Sequence, residues 1–497
     1  MKPLFVGVDL GTSSVKVGLF DPSGHVVHLV RASYPLYAPQ PGWAEQDPND
    51  WWLAVTSALE QILSDVDPAD VAAVGLSGQC PGHVLIAGDG TPLGRAIIWS
   101  DQRAVVEASW LAEHMSRDQA REWVGCDSVA DVTQTPTRLL WIQRHQPDQW
   151  RLAQAVLQPK DFVGRLLTGQ CATDHNSAYG MVNSESRLYH PQYLEFLGVD
   201  EQRLPAVLAP TDITGHVTPE AAAATHLVAG TPVVTGTIDA WCDIIGCGGT
   251  TPGQAVDAAG TSEIVALIDR RPDGGCQSDV GTAQGVFATR LLDDLCWIGG
   301  PMYAGGGTLL WWQQCFCQGS DLDNLATEAA DPEPRPDDPL FLPYLRGERA
   351  PVWDIKARGA FIGLAPHHNR GHCTRAVYEG LAFAVRDILQ RCQNATGIKA
   401  ASLRVSGGSS RSAVWNQIKA DVTGLRVQPM LVSDAGCLGA AMLAALGTKS
   451  FSDVGHAARA MVHPATEYQP RLHYEAVHNV RFDIWRKIYP ALKPLFS

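Results

Sequence analysis

The tripeptide Gly-Thr-Ser occurs twice in the same setting, at residues 11–13 and 260–262. Each copy lies between two apolar segments, and an aspartate precedes it, Asp9 in the first copy and Asp257 in the second. A Gly-Thr-Ser turn between two strands presents backbone N–H groups and two hydroxyls on one concave surface, which suits phosphate oxygens. Two such hairpins in one chain predict two related lobes that close on a polyphosphate.

The chain is long enough for two lobes, since 497 residues can form two hydrophobic cores. Strand-like segments alternate with helical ones in both halves, which predicts an α/β fold. A short helix and a glycine-rich exit follow the apolar strand that ends at Asp239. We therefore place the domain boundary there, with an N-terminal lobe of residues 1–248 and a C-terminal lobe of residues 249–497.

Composition limits the partners. The 38 basic and 52 acidic residues give a net charge of −14, which argues against nucleic acid or an anionic membrane as partner. The longest uncharged stretch contains a proline and two glycines and does not resemble a membrane span. Twelve cysteines without a paired CxxC pattern indicate reduced thiols, and the N-terminus is a strand instead of a basic, apolar leader. We therefore expect a cytoplasmic protein that binds small molecules.

The candidate nucleotide site comes from the two hairpins, because the chain has no GxxxxGK[ST] motif. One hairpin alone would be read as a simple tight turn, but two copies favour phosphate binding. Asp9 is a candidate ligand for Mg²⁺, and Lys16 is a candidate donor to the γ-phosphate. The full set of predicted cofactor-binding residues is Gly11, Thr12, Ser13, Lys16, Gly260, Thr261, Ser262, Gly306, Gly407 and Gly408.

Asp239 is the candidate catalytic residue. It follows a buried strand, so its carboxylate is delivered at a strand end, where it would take a proton from a sugar hydroxyl as that oxygen attacks phosphorus. The alternative role is an N-cap for the helix that starts at Ala240. Spacing alone does not separate the two roles.

The candidate site for the second substrate includes Gln79, Trp99, Asp101 and Arg103. An amide, an indole face, a carboxylate and a guanidinium suit a polyhydroxylated ligand, which needs fixed hydrogen bonds and an apolar wall.

These residues together resemble the FGGY carbohydrate kinases, and most closely the xylulokinase branch. The similar segments cover nearly the whole chain, at residues 8–13, 42–48, 75–79, 159–161, 341–349, 359–379 and 407–411. The resemblance implies two ribonuclease H-like lobes of the actin and hexokinase type, with MgATP and a sugar in the cleft. It also implies Asp239 as catalytic base, nucleotide contacts from Thr12, Ser13, Thr261 and Gly408, and a homodimer.

The chain departs from the family pattern at three places. Cys80 and Pro81 stand where xylulokinases usually have Met-His, at positions that contact the sugar in the family. The residues around Asp239 differ from the usual Gly-Gly-Asp-Asn and look more like ribulokinases. Arg138 stands where the family has lysine, which keeps the charge but not the geometry.

The predicted function is ATP-dependent phosphorylation of a pentulose hydroxyl, with D-xylulose as the leading substrate. The predicted substrate-binding residues are Gln79, Cys80, Pro81, Trp99, Asp101, Arg103 and Asp239. The alternatives within this chemistry are D-ribulose, L-ribulose, gluconate or a sugar alcohol. The non-enzymatic alternatives are an ATP-gated protein of the actin or chaperone type and a catalytically silent sugar sensor.

Overall fold

The computed structural model describes residues 3–271 and 284–496, and these divide into two compact units. The first unit contains the described residues up to Gly246 together with Gly436–Met461, and the second contains the other described residues. The chain therefore passes from one unit to the other beside the predicted boundary at residue 248. The later return of Gly436–Met461 to the first unit is not part of the prediction, which assigned all of 249–497 to one lobe.

The first part of the chain alternates short strands and helices. Its strands are β1 Leu4–Leu10, β2 Ser14–Phe20, β3 Val26–Ser33, β4 Glu45–Gln46, β5 Val71–Gly78, β6 Val84–Ile86, β7 Ala96–Ile97, β8 Ala155–Leu157, β9 Ala172–Asp174, β10 Ala206–Leu208, β11 Ile213–His216, β12 Pro232–Val234 and β13 Thr237–Ile238. Its helices are α1 Pro48–Ile62, α2 Val105–His114, α3 Arg117–Val124, α4 Thr135–His145, α5 Pro147–Leu152, α6 Pro159–Thr168, α7 Pro191–Leu197, α8 Pro219–Thr225 and α9 Asp239–Gly246.

The main sheet of the first unit has the order β11-β12-β5-β1-β2-β3. β13 follows β12 along the same side of β5 and pairs with the C-terminal end of β5. Strands β1, β2 and β3 form an antiparallel meander, whereas β1, β5 and β12 run parallel. β1 and β5 are buried along almost their whole length, as expected of central strands covered by helices on both faces. The carboxyl ends of β1, β5 and β13 therefore meet at one edge of the sheet.

The remaining elements follow after residue 253. The strands are β14 Gln254–Ala259, β15 Glu263–Arg270, β16 Phe287–Leu292, β17 Leu295–Met302, β18 Leu340–Leu342, β19 Ala360–Ile362, β20 Ser402–Ser406 and β21 Val427–Pro429. The helices are α10 Gly306–Phe316, α11 Leu322–Ala330, α12 Arg370–Thr396, α13 Ala413–Thr423, α14 Ala435–Gly447, α15 Val454–Met461 and α16 Glu475–Leu492. Helix α13 is followed by Gly424, which has φ 70° and caps the C-terminal end of the helix.

The sheet of the second unit has the order β16-β17-β15-β14-β20-β21. β14, β15 and β17 are antiparallel neighbours, and β14, β20 and β21 are parallel. The first unit shares part of this pattern: in both sheets the first two strands are antiparallel neighbours, and two parallel strands follow on the other side of the first strand. The third strands differ, because β3 pairs with β2 in the first sheet, whereas β17 and not β16 pairs with β15 in the second. Both Gly-Thr-Ser turns connect the first two strands of their sheet, so the predicted duplication extends to these two strands and their parallel neighbours.

Helix α14 packs directly on the central strands of the first unit. A Cβ atom at Gly7 would lie 1.9 Å from the carbonyl oxygen of Cys437, and one at Gly75 would lie 1.8 Å from that of Ala440. Conversely, a Cβ at Gly439 would lie 2.0 Å from the carbonyl oxygen of Cys242. Glycine at positions 7 and 75 therefore lets α14, which is rich in alanine and glycine, lie against the sheet of the first unit.

Two further expectations from composition have different outcomes. Among the described residues, no helix combines the length and the apolar character that crossing a bilayer requires. Ten of the cysteines that the structure describes form no disulfide, but Cys296 is disulfide-bonded, so the expectation of fully reduced thiols is wrong at that position.

Candidate active site

Asp9 lies at the carboxyl edge of the first unit's sheet. It is 4% exposed, and its Oδ1 accepts a hydrogen bond of 2.8 Å from the Ser77 hydroxyl of β5. Its Oδ2 accepts one of 3.2 Å from Nζ of Lys16, the residue opposite Asp9 on β2. Lys16, predicted to contact the γ-phosphate, thus neutralises Asp9 in this structure, and its side chain is 26% exposed.

Asp239 is the first residue of α9 and is half-buried. It directly follows β13, whose Thr237 is paired in register with Ser77 of β5. Burial, followed by the negative charge of Asp9, raises the pKa of Asp239 from 3.8 to about 7. Its Oδ1 accepts a hydrogen bond of 2.8 Å from the N–H of Ala240. An N-cap side chain accepts from the N–H of the second or third helical residue, whereas this bond comes from the adjacent residue and Asp239 is itself helical, so the bond does not support the capping alternative. The carboxylate has the titration range of a general base.

Asp243 is an acidic residue of this cluster that the sequence analysis did not single out. It lies one helical turn after Asp239 on α9, so the two carboxylates share one face of the helix. Burial and then the charge of Asp9 raise the pKa of Asp243, while a hydrogen bond from the N–H of Gly436 lowers it. The helical spacing from Asp239 is the signal that would have identified it.

The first Gly-Thr-Ser turn is held by its carbonyl oxygens. Tyr34 donates its hydroxyl to the carbonyl oxygen of Gly11, and Gln79 donates Nε2 to the same oxygen at 3.2 Å. Gln46 donates Nε2 to the carbonyl oxygen of Thr12 at 2.6 Å. The side chain of Ser13 is exposed. The predicted phosphate-binding turn is thus fixed from one side and leaves its serine open to solvent.

Gln79 follows β5 and is 1% exposed. Its Nε2 also donates to Oε1 of Gln46 at 2.7 Å, whereas its own buried Oε1 has no hydrogen-bond partner among the described residues. Cys80 donates its thiol to Oε1 of Gln158 at 3.7 Å and precedes Pro81 through a cis peptide bond. Burial, followed by the charges of nearby aspartates, raises the pKa of Cys80 well above its usual value, so the thiol is neutral.

Trp99, Asp101 and Arg103 lie on one loop after β7. Trp99 is half-buried and donates Nε1 to the Thr12 hydroxyl at 2.8 Å, which connects this loop to the first hairpin. Asp101 is fully buried and pairs with Arg103, whose Nη2 lies 2.7 Å from Oδ2 of Asp101 and whose side chain is 1% exposed. The guanidinium also lies 3.6 Å from the ring centroid of Trp43. These two charged groups are therefore enclosed by the protein.

Arg138, the departure from the family lysine, supports the same loop. It is buried and donates to the carbonyl oxygens of Ile98 and Asp101 at 3.0 and 2.8 Å. Its planar group bonds two carbonyls at once, which an ammonium reaches less readily.

The second Gly-Thr-Ser turn lies in the second unit and exposes Thr261 and Ser262. The backbone N–H of Gly306 donates to the carbonyl oxygen of Gly260 at 2.9 Å. A Cβ at Gly306 would lie 2.7 Å from that oxygen, so this glycine allows the start of α10 to approach the turn. Its N–H group is therefore used within the protein.

Gly407 and Gly408 follow β20. Gly407 has φ 82°, and a Cβ there would lie 2.3 Å from the carbonyl oxygen of Ala259, next to the second turn. No atom lies within 4 Å of a Cβ placed at Gly408, which leaves open space at that backbone. A short 3₁₀ turn, Gly408–Arg411, follows Gly407 and precedes α13, so neither glycine directly precedes the α-helix.

Asp257 differs from Asp9, although both precede a Gly-Thr-Ser turn. It is fully buried and forms an ion pair with Lys419 of α13, whose Nζ also lies 3.6 Å from Oε2 of Glu263. Burial, then Asp257, raises the pKa of Glu263 well above its usual value. This ion cluster connects both strands that flank the second turn to α13.

The chain matches both domains of a known enzyme family. Residues 4–246 match the N-terminal domain, and residues 256–448 the C-terminal domain, of the FGGY family of carbohydrate kinases. The xylulose kinase of Escherichia coli (strain K12) is 30% identical over 500 residues, covering 99% of this chain and all of that protein. The L-xylulose/3-keto-L-gulonate kinase of the same strain is 29% identical over 511 residues, which are 99% of this chain and 98% of its own.

A solved structure has the same fold. The crystal structure of xylulose kinase from Rhodospirillum rubrum has a TM-score of 0.88 and 26% sequence identity, and the match covers 99% of each chain. The similarity confirms the predicted α/β fold with ribonuclease H-like lobes. Both family domains occur in order along this chain, which therefore belongs to the FGGY family of carbohydrate kinases.

Proposed function

We propose that the protein transfers the γ-phosphate of ATP to a hydroxyl of a pentulose, with D-xylulose as the first candidate. The observation that carries this proposal is the position of Asp239 at the carboxyl edge of the sheet, beside Asp9, with a pKa of about 7. A carboxylate with this pKa is a competent base at neutral pH, whereas an ordinary aspartate is too weak a base. Relatives named as kinases of xylulose support the same substrate class.

In this mechanism Asp239 accepts the proton of the sugar hydroxyl as the hydroxyl oxygen attacks and bonds to the γ-phosphorus. The bond to the bridging oxygen breaks, and ADP leaves with the electron pair. Lys16 donates to a phosphate oxygen when ATP is present, because its ammonium group lies beside Asp9 and its side chain is partly exposed. The protein groups in these steps, Asp239, Lys16 and Asp9, all belong to the first unit.

Asp9 fits a role in Mg²⁺ binding. Its carboxylate has two partners, the Ser77 hydroxyl and Lys16, so lone pairs remain for a cation or its water. No group of three or more His, Cys, Asp or Glu side chains that could hold a metal occurs among the described residues. A single carboxylate such as that of Asp9 suits Mg²⁺, which usually keeps several waters and takes only one or two protein carboxylates. When bound, Mg²⁺ would neutralise charge on the phosphates.

For ATP we propose candidate contacts in each unit by itself, from the open part of its own Gly-Thr-Ser turn. The exposed side chains of Ser13, Thr261 and Ser262 are available donors, and the space above Gly408 accommodates a ligand against the backbone. Gly306 and Gly407 act indirectly, because they allow the protein segments around the second turn to approach each other.

For the sugar we propose direct contacts from Gln79, Cys80, Trp99 and Asp239. The unpartnered Oε1 of Gln79 is an acceptor for a sugar hydroxyl, and a neutral thiol at Cys80 is a weak donor. Asp101, predicted to bind substrate directly, is paired with Arg103, so we propose that it holds the loop that carries Trp99. Nη1 of Arg103 is buried without a hydrogen-bond partner among the described residues, so Arg103 remains a candidate donor to the sugar.

The test measures ADP release with a coupled assay on a panel of D-xylulose, L-xylulose, D-ribulose, L-ribulose, gluconate and a sugar alcohol. We expect the highest kcat/KM on a xylulose. Asp239→Asn should lower sugar-dependent turnover about a hundredfold or more, the scale of a lost general base. Asp148→Asn is the matched control, since that side chain is 85% exposed and belongs to the same unit.

Two outcomes contradict the proposal. One is near wild-type turnover of Asp239→Asn with ATP still bound. The other is ATP hydrolysis that no sugar changes but unfolded peptide accelerates, which favours the chaperone-like alternative. A cytoplasmic location and a homodimer remain predictions from the sequence.

A further inference from the structure

A buried ion cluster in the first unit takes no part in the mechanism above. Nζ of Lys160 lies 2.6 Å from Oδ1 of Asp161 and 3.1 Å from Oδ1 of Asp174. All three side chains are at most 2% exposed. Pro159 begins helix α6, which places Lys160 and Asp161 in its first turn, and Asp174 is the last residue of β9.

The cluster bonds to the segment that leads into Asp239. Oδ2 of Asp174 accepts a hydrogen bond of 2.7 Å from the Thr237 hydroxyl, and Lys160 donates to the carbonyl oxygen of Thr235 at 3.2 Å. Asn176 also donates Nδ2 to the Thr237 oxygen at 3.2 Å. Two residues of the five-residue segment 235–239 are thus held by one cluster.

The same segment is fixed on its other side by β5. Thr237 and Ile238 pair in register with Ser77 and Gly78. Gly236 has φ 69°, and a Cβ there would lie 1.8 Å from the carbonyl oxygen of Leu76. Only glycine fits so close to β5, so the backbone before Asp239 has no room to move toward β5.

By contrast, the Asp239 side chain has little of its own to fix it. The hydrogen bond that the structure gives its carboxylate comes from the adjacent N–H of Ala240, which moves with it. The location of the carboxylate therefore depends on where residues 235–238 place the start of α9.

We propose that Lys160, Asp174 and Thr237 are positioning residues that set the location of the Asp239 carboxylate relative to the sugar hydroxyl that attacks phosphorus. The inference rests on the proposed role of Asp239 as base. In this proposal the ion cluster supports phosphotransfer by positioning Asp239, and it does not itself take up or release the proton. Burial alone would lower the pKa of Lys160, but the two carboxylates outweigh it and raise that pKa, so the ammonium stays protonated. Its charge holds Asp174 ionised as the acceptor for Thr237, because Lys160 lowers the pKa of Asp174 against the effect of burial.

The central test is Thr237→Val, which keeps the shape of the side chain and removes its hydroxyl. We expect kcat on the preferred pentulose to fall on the order of tenfold or more, because small misplacements of catalytic groups have effects of this size. The KM for ATP should not change. Thr237→Ser keeps the oxygen and should restore most of kcat.

The matched control is Thr225→Val. Thr225 is also fully buried in the first unit, and its hydroxyl donates to the carbonyl oxygen of Ala221 at 2.7 Å. Each valine variant loses two buried hydrogen bonds, one that the hydroxyl donates and one that it accepts. Both melting temperatures should therefore fall, that of Thr237→Val somewhat more because its acceptor is charged, but only Thr237→Val should lose kcat. Its remaining activity should keep the acid limb of the pH profile near pH 7, because the causes of the raised pKa of Asp239 are burial and Asp9.

The positioning role is overturned if Thr237→Val keeps the kcat of Thr225→Val, or if Thr237→Ser is as slow as Thr237→Val. If Thr237→Val does not fold, Thr237→Cys tests the same contact through a weaker hydrogen bond, and an unchanged kcat contradicts the proposal. Wild-type protein without sugar-dependent ADP release, or an active Asp239→Asn variant, would instead contradict the proposed function.

Discussion

Replacing Asp239 with asparagine should stabilise the folded protein above neutral pH while it removes phosphotransfer. Burial, then Asp9, raises the pKa of Asp239 from 3.8 to about 7, so the folded state holds the proton more tightly than the unfolded state does. The stability that this proton gives is fully present below about pH 4 and is lost as the pH rises through about 7. At pH 8 the wild-type protein therefore carries the full cost of a charged carboxylate.

The pKa difference gives the scale of this cost. Roughly three units at 1.36 kcal/mol each set a ceiling of about 4 kcal/mol. Asp239 is only half-buried, so solvent screens its charge, and we expect an observed gain of about 1–2 kcal/mol. Asparagine keeps the size of the side chain and removes the titration.

The assay is urea unfolding of wild type and Asp239→Asn at pH 5 and pH 8. The difference in free energy of unfolding between the two proteins should grow between these pH values, because wild type loses the Asp239 proton in this range and the variant has no such group. Besides burial and the charge of Asp9, the charge of Asp239 also raises the pKa of Asp243, so removing that charge adds to the same trend. The control Asp148→Asn should show no such growth. A difference that stays constant from pH 5 to pH 8, or a variant that is less stable than wild type at pH 8, would refute the reasoning.

Three further changes have defined outcomes. Lys419→Met leaves two buried acidic groups without their cation and should cost about 3–5 kcal/mol of unfolding free energy, measured by urea titration. Gly407→Ala places a Cβ 2.3 Å from the carbonyl oxygen of Ala259 at positive φ, so the KM for ATP should rise severalfold in steady-state assays while the KM for sugar does not. Trp99→Phe removes the 2.8 Å hydrogen bond to Thr12 and should raise the KM for sugar more than the KM for ATP.

Local pattern predicted much of this molecule, because strands and tight turns depend on residues close in sequence. The apolar segments on either side of the first Gly-Thr-Ser tripeptide predict two strands joined by that turn, and the structure has the strands Leu4–Leu10 and Ser14–Phe20 there. Asp239 was recognised because a buried strand precedes it. The bonds of Lys160 to Asp174 and of Asp257 to Lys419 were not predicted, because they join residues on separate elements. Their partners are chosen by packing, which a single sequence does not display.

The contact between α14 and the first unit's central strands has a consequence for biosynthesis. The backbone surfaces at Gly7 and Gly75 are covered by residues that leave the ribosome more than 350 positions later. A nascent chain that ends near residue 246 thus exposes a sheet face that its own residues do not cover, and we expect it to need a chaperone or to stay incompletely folded until α14 is translated.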